Sequence, residues 1–321
     1  MTPSAEPVDG RSGGSRGAGG SDLVGTLTWG EVSDQAIADL ARSGPEVSAL
    51  DVRRIVEEVT GAEGADYLGV LEERVTVRRL ARFDALLARR RAGEPLQYVL
   101  GRWAFRTLDL LVDRRVLIPR PETEEVAERA LAEVRRLIDR HGTTYASRLT
   151  VADLGTGSGA IGLALATEQP LVDVWATDIS EDALVIARAN TVGIGRAAAR
   201  VRLAQGNWFE ALPVELRGTL AVVVANPPYV AADEQLPPEV ADWEPSGALV
   251  AGPTGREALE HLVDHAGPWL RPGGALVAEL APGQAGSVAQ RAERAGYEDV
   301  RVHDDLTGRP RVLVARSPER P

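Results

Sequence analysis

The stretch Leu220–Val230 reads Leu-Ala-Val-Val-Val-Ala-Asn-Pro-Pro-Tyr-Val, an apolar, β-branched run that stops abruptly at Asn226. Such a run predicts a buried strand whose tip is held rigid just beyond the sheet. Pro227 and Pro228 fix φ at both positions and donate no backbone N–H, which leaves carbonyl oxygens free to accept. The side-chain oxygen of Asn226 and a backbone carbonyl then form a preorganised acceptor pair, with Tyr229 as an aromatic wall. That pair suits a planar NH2 group, whether of an amide or of a nucleobase.

A second stretch supplies what lies beside it. Val151-Ala152-Asp153-Leu154 reads as a short strand, Gly155-Thr156-Gly157-Ser158-Gly159 as a glycine-rich turn, and Ala160 to Ala166 as the start of an apolar helix. Strand, glycine turn and helix open a doubly wound α/β nucleotide site. Asp178 closes the next strand (Val172 to Thr177), where an acid can accept from ribose hydroxyls. The turn can hold a dinucleotide or S-adenosylmethionine. A dinucleotide fingerprint separates its last glycines by two residues. Here Gly155, Gly157 and Gly159 alternate behind Asp153, which resembles the turn of class I methyltransferases. Trp208 or Phe209, after the third strand, is placed to cover an adenine ring. In that topology the glycine turn and Asn226 to Tyr229 face each other across the switch point of the sheet.

The rest of the chain frames these two stretches. Residues 1–24 are rich in Gly, Ser and Arg, cannot offset the entropy of ordering, and read as a disordered tail. From Thr28 to about Arg91 the pattern is helical, broken at Gly44-Pro45 and at Gly61 to Gly64. Ile37 and Leu40 give one apolar face, Leu50, Ile55, Val56 and Val59 another, and Leu80, Phe83, Leu86 and Leu87 a third. This helical bundle, residues 25–93, is either a packing domain or a platform for a protein substrate. Arg89, Arg90 and Arg91 suit a helix C-terminus. Residues 94–118 read as an extended or hairpin linker, with Leu96–Leu100 and Trp103–Val112 as its extended segments. Residues 119–321 form the catalytic domain. In Leu117-Ile118-Pro119-Arg120-Pro121-Glu122-Thr123-Glu124 the prolines force an extended loop, and Thr123 is expected to cap a helix beginning at Glu124. Arg120 between two prolines is either a salt-bridge partner or a substrate contact. Further strands are expected at Val201 to Leu203 and Ala275 to Leu280, helices at Glu257 to Leu270 and Gln284 to Ala295, and a closing antiparallel hairpin at Glu298 to His303 and Arg311 to Ala315.

Composition excludes several chemistries. The 321 residues are 44% hydrophobic, enough for two modest domains. There is no cysteine, so thiolate metal sites are absent, and His141, His261, His265 and His303 form no recognisable ligand set. His261 and His265 are one helical turn apart, but an exposed helix face explains that spacing. All 36 basic residues are arginine, which removes lysine Schiff-base and P-loop lysine chemistry. A net charge of −11 argues against bulk nucleic-acid binding. No apolar run is long enough to span a membrane, so the expected compartment is the cytoplasm.

With these residues assembled, the chain resembles the peptide chain release factor glutamine methyltransferase family over roughly residues 28 to 316. The resemblance rests on Glu94–Gly101, Leu117–Glu124, Asp153–Gly159, Asn226–Tyr229, Glu244-Pro245 with Ala248-Leu249, and Gly308–Val312. It implies a class I S-adenosylmethionine-dependent methyltransferase fold: a Rossmann-like seven-stranded sheet with an antiparallel last strand, preceded by a helical domain. It also implies S-adenosylmethionine held by Asp153, Gly155, Thr156, Gly157, Gly159, Asp178, Asn207, Trp208 and Asn226. The implied substrate is the glutamine of the Gly-Gly-Gln motif in class 1 release factors, bound by Asn226, Pro227, Pro228, Tyr229 and Arg120, with Asn226, Pro227 and Tyr229 catalytic. Asn207 stands where the family usually carries an acid, and Ala281-Pro282 replaces a usual glycine after Glu279. A ribosomal-protein glutamine methyltransferase, a nucleic-acid exocyclic-amine methyltransferase and a non-catalytic binding module remain alternatives.

Overall fold

The computed structural model describes residues 24–43, 47–144 and 146–319. The expected tail, residues 1–24, lies outside them except for Val24, as does the Gly44-Pro45 break. The chain divides into two compact units, residues 1–92 and 93–321. Among the described residues no helix is long and apolar enough to cross a membrane.

The first unit holds β1 (Val24–Thr28), α1 (Trp29–Ser43), α2 (Ala49–Thr60), α3 (Asp66–Val70), β2 (Arg74–Thr76) and α4 (Val77–Arg91). It is not purely helical, because β1 and β2 pair antiparallel. Ser48 begins α2 with a capping box: its hydroxyl accepts from the Asp51 N–H, and the Asp51 carboxylate accepts from the Ser48 N–H. The buried stripe of α2 is Val52, Ile55, Val56 and Val59, and that of α4 is Phe83 and Leu87. The Phe83 ring meets Trp29 edge-on at 5.8 Å. Ile37 and Leu50, expected on core faces, are exposed at 37% and 59%. The arginine run does close α4, but Arg90 is buried, with its Nε 3.7 Å from the Asp51 carboxylate.

The second unit begins with α5 (Leu96–Leu100), β3 (Arg102–Phe105), β4 (Leu108–Leu111), α6 (Pro121–His141), β5 (Leu149–Leu154), α7 (Ala160–Glu168), β6 (Val172–Asp178) and α8 (Glu181–Gly193). It continues through β7 (Val201–Gln205), β8 (Leu220–Ala225), β9 (Val230–Ala231), α9 (Pro238–Ala241), β10 (Val250–Gly252), α10 (Glu257–Ala266), β11 (Leu270–Glu279), α11 (Ala285–Arg294), β12 (Glu298–Asp304) and β13 (Pro310–Arg316). Leu96–Leu100 is a helical turn rather than an extended segment, closed by Gly101 at φ 75° and anchored where Tyr98 donates to the Val116 carbonyl at 2.6 Å. Helix α6 starts at Pro121 rather than Glu124, so Thr123 lies inside its first turn and its hydroxyl is free for a partner elsewhere. Proline at the first helical position wastes no hydrogen bond, which moves the start upstream.

Seven strands form one sheet in the order β12-β13-β11-β8-β5-β6-β7. From β11 to β7 neighbours are parallel, while β13 runs antiparallel to both of its neighbours. All six residues of β8 are buried, as a central parallel strand requires. Two hydrophobic layers explain that burial. One sets α6 and α7 (Val126, Leu131, Leu163) against one face, and the other sets α10 and α11 (Leu259, Leu262, Val288) against the opposite face. Each fully buried Val or Leu contributes roughly 1.5–3 kcal/mol. This strand order, with its antiparallel last strand, is the class I methyltransferase arrangement that the resemblance implies.

Candidate active site

Strands β5 and β8 are parallel neighbours, with Asp153 opposite Val224. The glycine turn that follows β5 and the Asn226–Tyr229 segment that follows β8 therefore leave the sheet side by side at its carboxyl end. Between them lies a cavity of about 470 Å³, bordered by Gly155, Thr156, Gly157, Asp178, Trp208 and Asn226. That volume suits one small ligand.

The turn is tightly built. Gly155, Gly157 and Gly159 take φ of 71°, 56° and 88°, a region L side chains rarely adopt. Asp153 lies beneath, 1% exposed, and its Oδ2 accepts from the Thr156 hydroxyl at 2.6 Å and the Gly162 N–H at 2.9 Å. Burial pushes its carboxyl up to about 6. It braces the turn from below and does not line the cavity; nor does Gly159, the N-cap of α7, which packs on Leu163. Asp178 faces the cavity. One carboxylate oxygen accepts from the Gly157 N–H and the other from the Ser180 N–H, both at 2.9 Å. A carboxylate has about four acceptor sites, so capacity remains for a ligand's hydroxyls. Burial raises the Asp178 carboxyl, and its backbone donors oppose the rise.

Trp208 and Phe209 part company. The Trp208 ring borders the cavity, 3.5 Å from where a Cβ on Gly155 would stand, whereas Phe209 is buried and stacks on Trp269 at 5.8 Å. Asn207 borders the same cavity.

Across the cavity, Asn226 Nδ2 donates to Thr123 Oγ1 at 3.1 Å, and that hydroxyl donates to Glu279 Oε2 at 2.7 Å. The Asn226 nitrogen is thus engaged inside the protein, and its oxygen is left for a ligand. Pro228 lines the cavity; Pro227 is buried and Tyr229 half-buried beyond it. Burial and the nearby Glu279 charge push the Tyr229 phenol up to about 12. The far end of the segment is tied down by Gln284, whose Nε2 donates to the Tyr229 carbonyl at 3.2 Å and the Gly255 carbonyl at 2.8 Å. Arg120 does not line the cavity. Its guanidinium pairs with Glu244, a buried carboxylate that also accepts from the Ile118 N–H at 3.1 Å. The interactions of Thr123, Glu279 and Gln284 escaped sequence reasoning, because no local pattern marks them. His261 and His265 stack on each other at 4.2 Å outside this cavity. Among the described residues no His, Cys, Asp or Glu group could hold a metal.

Comparison with known proteins bears on the sequence and the fold. Residues 31–101 match the PrmC N-terminal domain family and residues 136–241 the Methyltransferase small domain family. Over 76% of this chain and 82% of the other, the fold is similar to the hMettl16 catalytic domain, with a TM-score of 0.50 at 14% identity. The release factor glutamine methyltransferase of Cereibacter sphaeroides is 38% identical over 88% of this chain and 96% of its own length. The protein of that name from Moorella thermoacetica is 38% identical over 90% and 98%, and that from Streptomyces coelicolor 42% identical over 74% and 80%. Identity at this level across nearly the whole length of such relatives is enough to place the sequence: the chain belongs to the release factor glutamine methyltransferase family.

Proposed function

We propose that this chain transfers a methyl group from S-adenosylmethionine to the side-chain amide nitrogen of the glutamine in the Gly-Gly-Gln motif of a class 1 peptide chain release factor. The observation that carries the reading is the Asn226 side chain, with its nitrogen bound to Thr123 and its oxygen left beside the cavity. The family name supports the substrate class, and the acceptor geometry suits an NH2 group.

The cavity residues fit the methyl donor. Asp178 would hold the ribose hydroxyls, Trp208 and Asn207 the adenine, and the glycine turn the methionine and ribose portions. When bound, S-adenosylmethionine supplies an electrophilic methyl group. An amide nitrogen is a poor nucleophile because its lone pair is delocalised into the carbonyl. Asn226 Oδ1 and the Pro227 carbonyl accept from the glutamine NH2, orient it, favour pyramidalisation and stabilise the positive charge that develops. Tyr229 packs the target group. Transfer would leave the donor's sulfur as a neutral thioether that keeps the electron pair of the broken bond, and the methylated nitrogen would then lose its surplus proton to solvent. The helical unit serves as the platform for the protein substrate. Arg120, by holding the Ile-Pro-Arg-Pro loop to Glu244, shapes the wall that the substrate meets.

The test is incubation with purified release factor and cofactor, followed by mass spectrometry of the Gly-Gly-Gln peptide. A gain of one methyl group on that glutamine is expected; transfer to a ribosomal protein or nucleic acid instead would overturn the reading. Asp178→Ala removes the acceptor of two backbone bonds and of the ribose. Hydrogen bonds to charged groups contribute about 1.5–3 kcal/mol each, so cofactor affinity should fall by roughly one to two orders of magnitude. Calorimetry giving wild-type affinity would remove Asp178 from the cofactor site.

A further inference from the structure

We propose that Thr123 and Glu279 are positioning residues that fix which way round the Asn226 amide sits, so that its oxygen and not its nitrogen meets the substrate NH2. The two ends of an asparagine amide have nearly the same shape and opposite hydrogen-bonding roles. A flipped Asn226 would set a donor against a donor and leave the nucleophile unheld.

The geometry shows what prevents the flip. Helix α6 packs across β8 and β11, which brings Thr123 in its first turn between Asn226, just after β8, and Glu279, the last residue of β11. Thr123 is 4% exposed and Glu279 1% exposed, so solvent does not compete for their hydrogen bonds. The threonine hydroxyl has one hydrogen. With that hydrogen given to the Glu279 carboxylate at 2.7 Å, its oxygen has only lone pairs to offer, and Asn226 satisfies them only through Nδ2, at 3.1 Å.

The relay depends on an ionised Glu279. Around that carboxyl stand Thr123 and Glu122 of α6, Arg120 before that helix, Arg311 of β13 and Tyr229 after β8. Burial pushes the group up to about 7, Thr123, Arg311 and Arg120 oppose the rise, and Glu122 adds to it. A protonated Glu279 becomes a donor to Thr123, whose hydrogen then turns toward Asn226 Oδ1, the atom the glutamine needs. The rate of transfer should therefore fall as pH drops through about 7.

The inference rests on the glutamine reading above. The test follows methyl transfer to purified release factor across that pH range at saturating cofactor, with cofactor affinity measured in parallel by calorimetry. Thr123→Val should lower kcat by roughly 10- to 100-fold with cofactor affinity unchanged, and Thr123→Ser should restore most of the loss. Glu279→Gln offers Thr123 an acceptor oxygen or a donor nitrogen, as the protonated acid does, and it does not titrate, so its rate profile should lose the acid fall. A Thr123→Val enzyme within about twofold of wild type, or an acid fall that persists in Glu279→Gln, overturns the inference. Absence of transfer by the wild-type protein counts against the glutamine reading itself, so the two failures are separable.

Discussion

Asn226→Ala is expected to reduce kcat by about two to three orders of magnitude, the range seen when a preorganised transition-state contact is removed. The side chain stands at the end of β8, held by the Thr123 hydroxyl, and on the proposed reading its oxygen accepts from the glutamine NH2. Alanine also leaves the Thr123 oxygen without its donor, but the Thr123 to Glu279 bond survives, so the local fold should hold. Cofactor affinity should change little, because Asp178, the glycine turn and Trp208 do not depend on Asn226. Single-turnover kinetics with isotopically labelled cofactor, alongside calorimetry, separates the two quantities. Near-normal turnover would sink the mechanism, and a large parallel loss of affinity would make Asn226 a cofactor residue first. Together with Asp178→Ala, which moves affinity, the pair divides the cavity into a donor side and an acceptor side.

Gly255→Ala is expected to act from outside the cavity. Gly255 sits at φ 74°, and a Cβ there would stand 2.7 Å from the Tyr229 carbonyl oxygen, 2.9 Å from the Ala231 nitrogen and 3.1 Å from the Val230 carbonyl carbon. All three are backbone atoms, so no side chain can swing aside. The left-handed conformation costs about 1–2 kcal/mol for an L residue, and forcing the contact adds about 1–3 kcal/mol. A combined loss of about 2–5 kcal/mol lowers Tm by roughly 4–20 °C in a unit of this size. The displaced segment is the far end of the Asn226–Tyr229 strap, which Gln284 otherwise clamps through the Tyr229 and Gly255 carbonyls. Turnover should therefore fall at temperatures where the protein is still folded. Thermal unfolding with activity measured below the transition checks this. A variant with wild-type Tm and kcat would show that the Gly255 loop bears no strain on the strap.

Much of the architecture is legible along the chain because it depends on local chemistry. The run Leu220–Ala225 is apolar on both faces and so is a central strand, alternating glycines make the turn after Leu154, and Ser180 caps α8 through the Ala183 N–H. Misreadings arise where two local signals compete. Pro95 and the β-branched Val99 suggest extended chain over Leu96–Leu100, yet Tyr98 and Val99 are buried in a helical turn that Gly101 ends. Proline and threonine compete at the start of α6, where Pro121 takes the first helical position and frees Thr123. Arg120 has two sequence-level readings, and its carboxylate partner Glu244 lies 124 residues away.

What the sequence alone determined is the inventory: a rigid acceptor strap, a nucleotide turn with an acid one strand later, and the absence of cysteine and lysine chemistry. Each belongs to one short stretch whose residue types dictate backbone geometry or donor capacity. What only the tertiary structure decided is which side chains meet at that strap. Asn226 and Thr123 are 103 residues apart, and Thr123 and Glu279 are 156 apart. They meet because β8 lies between β5 and β11 with α6 laid across it, and that packing lets one buried hydroxyl orient the amide.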